Sequence, residues 1–186
     1  HGDDEIFSRE QFLQWFDLDH LGKSAGQFDE AKLRWVNAQH MKAMHDEQLA
    51  MPVGEQLKKR GIAADERLPR ICGLFKDRGD TTVVLADWAA RFYLPVEPSA
   101  QDLAKHITEG VRPAISMLAR MLEGVAWEKA AITECLKEVL RATGLKMPQL
   151  AMPVRVLVLG TAQTPSLDAV LELLPREIVL QRLAAA

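Results

Sequence analysis

The chain has 186 residues, is 48% apolar and 26% charged, and carries a formal net charge of −3. That composition is ordinary for a globular protein long enough to bury a core, and the longest apolar stretches fall well short of the ~18 residues that span a bilayer. The mild negative charge argues against a generic polyanion binder, yet it hides an asymmetry. Residues 1–30 hold eight acids and two bases, while the rest of the chain is net +3, which leaves room for a local basic surface.

The opening HGDDEIFSRE is acidic and polar, unlike a secretory signal or transit peptide, and starts without methionine; the expectation is a piece excised from a longer protein. Cys72 and Cys135 stand far apart in helical surroundings, a pattern of two buried thiols in a reducing compartment, with the cytoplasm as the expected location.

In chain order, Ser8 with Gln11 predicts a capping box for a short first helix, FSREQFLQWF. Asp29 caps EAKLRWVNAQHMKAM, in which Leu33, Val36, His40 and Met44 recur at helical spacing. Met51-Pro52 and Gly61 bracket a third helix around VGEQLKKRG. DERLPRICGLF places Leu68, Ile71, Cys72 and Phe75 on one side, and Asp80 is the expected cap of TTVVLADWAARFYL. LPVEPSAQD, with two prolines and no period, reads as a linker. Ser99 with Asp102 opens a further helix, VRPAISMLARMLEGV and AWEKAAITECLKEVLRATG are amphipathic, and Gly144 closes the second of these. PVRVLVLG is the one candidate strand, although a lone strand has no pairing partner and packing can make it helical. Thr164 as cap and Pro165 at the first helical position are expected to start SLDAVLELL, with Leu167, Val170, Leu171 and Leu174 inward. The fold class is therefore all-α, in two helical subdomains.

Gly22-Lys23-Ser24 resembles the end of a phosphate-binding loop, but the glycine required five residues before Gly22 is Asp17 and no strand precedes it. His40 and His45 lie five apart, on different faces of a helix, and no cysteine pair has zinc-knuckle spacing, so no metal site is expected. His40 on an apolar stripe reads as a core histidine. Trp15, Trp35, Trp88 and Trp127 could stack on bases, but their helical spacing favours core packing. No nucleophile carries a catalytic signature. Two arginines beside loops remain: Arg78 in FKDRGDTT and Arg155 just before LGTAQTPSL. A guanidinium is a planar fork that can meet a base edge with two hydrogen bonds, and single-stranded RNA loops are read by such forks together with backbone groups. The alternative is that both arginines simply form salt bridges.

Taken together, HGDDEIFSREQF, FDLDHLGKSAGQFDEAKLRWVNAQHM and PVRVLVLGTAQTPSLDAVLELLPREIVLQRL, in this order over the whole chain, resemble the C-terminal half of the bacterial glutamyl-tRNA synthetases, class I aminoacyl-tRNA synthetases. The resemblance implies an all-helical anticodon-binding region of the α-helix-cage type. Residues 1–30 would continue from a missing catalytic and stem-contact part, 31–97 would form a first anticodon-binding subdomain and 98–186 a second. It also implies anticodon contacts from Arg78, Arg155, Thr164, Pro165 and Leu167. An arginine at position 78 goes with enzymes that discriminate glutamate tRNA from glutamine tRNA, which differ at the third anticodon base. The implied partner is glutamate tRNA, bound by a monomer without a membrane. ATP with Mg would serve the full-length ligase, and this stretch, lacking both ATP-binding signatures, would need no cofactor and be inactive alone. Pro175 stands where the family usually has glycine, so a different kink of the last helix is expected. A helical docking module without RNA contact is the alternative function.

Overall fold

A computed structural model describes residues 4–19, 22 and 26–186. The phosphate-loop resemblance at Lys23 and Ser24 lies outside the described residues. Among those residues there are eleven α-helices and one 3-10 turn, with no strand: α1 Arg9–Trp15, α2 Glu30–Ala43, α3 Asp46–Lys59, α4 Leu68–Phe75, a 3-10 turn Lys76–Arg78, α5 Thr82–Ala90, α6 Ala100–His106, α7 Arg112–Gly124, α8 Lys129–Thr143, α9 Met147–Leu159, α10 Leu167–Leu173 and α11 Arg176–Leu183.

The capping expectations hold at Ser8, Asp29 and Ser99, whose side chains accept from backbone N–H groups three residues on. The αL glycine at 144, φ 69°, closes α8. Three boundaries differ from expectation. Thr81 rather than Asp80 caps α5, its Oγ1 accepting from Val84 at 3.3 Å, because the Asp80 carboxylate is engaged by Arg34 and its carbonyl by Asn37. Pro52 lies inside α3 rather than before it, where burial of Leu49, Val53 and Leu57 outweighs the missing N–H. Thr164 and Pro165 do not start α10. Their carbonyls are taken by arginine side chains, so the ladder begins two residues later than expected, with Ser166 O accepting from Val170 N at 3.2 Å.

Helices α3, α4 and α5 pack on one another, α7, α8, α10 and α11 form a second group with α9 against them, and α10 touches α4 between the groups. One continuous core runs through both, from Leu49 and Phe75 to Leu136, Leu171 and Val179. The expected inward sides of α4 (Leu68, Ile71, Cys72, Phe75) and α10 (Leu167, Val170, Leu171, Leu174) are all buried. The candidate strand is the C-terminal half of α9, a helix buried on nearly every side. Pro175 precedes α11 at its N-cap and introduces no kink within it.

The helical period of α2 does not make a core face. Only Met41 is buried there, while Leu33, Trp35 and His40 are exposed. Trp88 and Trp127 do pack against the core, Trp88 stacking on Phe75. α1 buries nothing, and Phe12, Leu13, Phe16, Leu18, Phe28 and Leu33, in and between α1 and α2, stand in solvent. Cys72 and Cys135 are free and buried.

Candidate nucleic-acid interface

The polar turn after α9 is built from its two ends. Gly160 terminates the helix in the left-handed region, φ +71°, which a residue with a Cβ adopts only at a cost. Pro165 fixes φ ahead of α10. Between them Thr164 is 5% exposed, and its Oγ1 donates to the Pro165 carbonyl at 3.1 Å.

Two guanidiniums converge on this turn. Arg78, exposed at the end of the 3-10 turn, donates through Nη2 to the carbonyl of Thr164 at 3.1 Å. Arg155, half-buried on the last turn but one of α9, donates through Nη2 to the next carbonyl, that of Pro165, also at 3.1 Å. Neither forms a salt bridge among the described residues, so the ion-pair reading of these two side chains fails. Burial, and then the positive charge of Arg78, pull the Arg155 pKa below the ordinary arginine value. Its Nε is buried with no partner. Two like charges therefore share one turn without a carboxylate to neutralise them. An arginine offers five N–H donors, and Arg78 commits one of its Nη2 hydrogens inward while standing in solvent. The site can accept a ligand rich in acceptors.

Of the five residues singled out in the sequence, Arg78, Arg155, Thr164 and Pro165 meet directly. The side chain of Leu167 does not face the turn's surface: it is 4% exposed, in the core beneath. Sequence reasoning missed the arginines that hold the turn from behind. Arg91 donates to the carbonyl of Leu159, the last residue of α9, at 2.6 Å. Arg182 donates to the preceding carbonyl, Val158, and reaches Arg91 O at 3.3 Å and Leu94 O at 2.8 Å. Arg67 does the same for α10, donating to Leu173 O at 2.9 Å. Final-turn carbonyls lack intrahelical donors and sit at the negative end of the helix dipole, so a guanidinium satisfies both needs. The one available signal for Arg182 was its place in the closing arginine-leucine pair. Among the described residues no group of three or more His, Cys, Asp or Glu side chains is arranged to hold a metal.

An all-helical scaffold thus presents, among the described residues, a pair of arginines without carboxylate partners on a structured turn. The chain belongs to the anticodon binding domain family, whose sequence model matches residues 37–186. It is 65% identical over 183 residues to the glutamate–tRNA ligase of Albidiferax ferrireducens, covering 98% of this chain and 40% of that protein. It is 66% identical over 190 residues to that of Paracidovorax citrulli, covering 100% and 40%. The chain thus spans about 40% of the length of these curated relatives. A crystal structure of a glutamate tRNA ligase from Elizabethkingia meningosepticum in complex with its amino acid shares the fold, with a TM-score of 0.89 at 22% identity, covering 99% of this chain and 37% of that one. The matches support anticodon binding and not the docking alternative.

Proposed function

We propose that this chain is the anticodon-reading part of a glutamate–tRNA ligase and that the turn at 160–166, with Arg78, receives the anticodon loop of glutamate tRNA. One observation carries the reading: guanidiniums from two distant stretches converge on consecutive carbonyls of one turn, with no carboxylate among the described residues pairing either. Unstacked loop bases are read by such forks and by backbone edges. In this reading Arg78 and Arg155 contact bases, and Thr164 and Pro165 set the backbone they meet. Leu167, buried beneath, supports the turn through packing. The helices up to residue 97 and those from 98 onward act as two subdomains, one contributing Arg78 and the other the turn. The full-length enzyme works as a monomer in the cytoplasm, and the remainder of its polypeptide supplies the residues that hold ATP and Mg.

Arg78 is the specificity residue. Its fork can donate two hydrogen bonds to the acceptors of a cytosine, whereas guanine presents mainly donors on its pairing edge. Glutamine offers one donor and one acceptor and can turn to suit either. Arg78→Gln in the full-length enzyme is expected to narrow the preference for cytosine over guanine at the third anticodon position by up to about a hundredfold. Stability should hardly change, since the side chain is exposed and gives up one hydrogen bond worth about 1 kcal/mol. The measurement is kcat/KM for glutamate tRNA and for glutamine tRNA; an unchanged ratio overturns the assignment.

A further inference from the structure

The recognition turn is only as well placed as the end of α9 from which it springs, and the polar ties of that end to the other half of the molecule are arginine side chains on carbonyl oxygens. Arg182, on α11, spans the junction: Nη1 donates to Val158 O in the last turn of α9 and to Arg91 O, and Nη2 donates to Leu94 O. Arg91, the residue that closes α5, completes the tie from the opposite side through Leu159 O. Its guanidinium also lies over Gly160, where a Cβ would stand 3.3 Å from Nη1. Neither arginine has a carboxylate partner among the described residues, so both are committed to carbonyl oxygens. Arg78 reaches the turn from the same half that Arg91 belongs to, three residues before Thr81, the cap of α5.

We propose that Arg182, with Arg91, is a positioning residue for anticodon selectivity: the pair fixes the end of α9 against the end of α5, and so sets the distance and angle between Arg78 and the turn that it shares with Arg155. The proposal rests on the anticodon reading above. Arg182 touches no RNA. Its carbonyl partners straddle the junction and are met by two separate nitrogens of a planar fork; a lysine ammonium is one compact donor centre and does not reproduce that spacing.

The test uses the full-length ligase with Arg182→Met, Arg182→Lys, Arg78→Ala and the double variant Arg78→Ala/Arg182→Met. The readout is the ratio of kcat/KM for glutamate tRNA to that for the transcript with guanine in place of cytosine at the third anticodon position. This ratio is independent of the fraction of enzyme that is folded, so general destabilisation does not move it. Arg182→Met is expected to lower it about tenfold and Arg182→Lys about threefold, while KM for glutamate and ATP stays the same. In the Arg78→Ala background, Arg182→Met should cost no further selectivity. If Arg182→Met does not fold, Arg182→Lys decides. An unchanged ratio in the folded Arg182 variants, with selectivity lost in Arg78→Ala, overturns the positioning role and leaves the anticodon reading intact. An unchanged ratio in Arg78→Ala overturns that reading, and the positioning proposal falls with it.

Discussion

Asp168, in the first turn of α10, shows how a single carboxyl is balanced. Burial raises its pKa, but hydroxyls from Thr133 and Ser166 and the N–H of Ala169 favour the ionised form, and the outcome is a pKa below the ordinary carboxylate value. A carboxyl whose pKa falls on folding adds stability above its unfolded pKa, and that stability is lost as pH drops through the folded value. Asp168→Asn should therefore be less stable than the parent at pH 7, by about 1–2 kcal/mol, and the gap should close below the ordinary carboxylate range near pH 4. Urea unfolding at pH 7 and at pH 3 checks this; a gap that is the same at both overturns the role assigned to the charge. At this scale the sequence was informative where residues act locally. Ser8, Asp29 and Ser99 were legible as caps because their partners lie three residues away. Arg78 and Arg155 were legible as candidates because an arginine next to a polar turn stands out, although their mutual approach to one turn was not. Beyond its place in the closing arginine-leucine pair, Arg182 gave no sign of its role, because its partners are plain backbone carbonyls 24 to 91 positions distant, and every residue has a carbonyl.

At the scale of the element, α9 was the hardest to read. A helix in contact with neighbours on one side shows an apolar stripe, but α9 buries Leu150, Ala151, Pro153, Val154, Val156, Leu157, Val158 and Leu159. An apolar run without a polar face carries no period that tells helix from strand. The opposite error arose at α2, where a true helical period marks a face that the described residues leave in solvent. The C-terminal end of α9 also gives a direct test. Gly160 combines a left-handed backbone with close approach of Arg91. Gly160→Ala should cost about 1–2 kcal/mol through the backbone alone. Because the added methyl would press on the Arg91 guanidinium, it should also weaken binding of glutamate tRNA by the full-length ligase. Thermal melting and a filter-binding titration measure the two effects, and a variant as stable as the parent would show that the turn relaxes freely.

At the scale of the whole molecule, an all-helical fold was legible from successive amphipathic runs. The way the two helix groups are joined was not, because to the shared apolar core the joint adds guanidiniums on carbonyls and an ion pair, Arg70–Glu172 at 2.5 Å. That joint has a consequence in time. The bond from Arg182 to Leu94 closes a loop of 88 positions, and its donor lies on the last helix. A ribosome adding ~5–20 residues per second emits α11 roughly 5–20 s after Leu94. Helices α3–α5 can pack on one another throughout that interval, but the two parts cannot be locked until α11 arrives. The turn at 160–166 with Arg78, proposed to read the anticodon, is thus the last feature of this stretch to be completed. Refolding from urea should reproduce the order: the fluorescence of Trp88, stacked on Phe75 among the early helices, should recover before binding of glutamate tRNA returns. Simultaneous recovery would mean that the parts lock as fast as they fold.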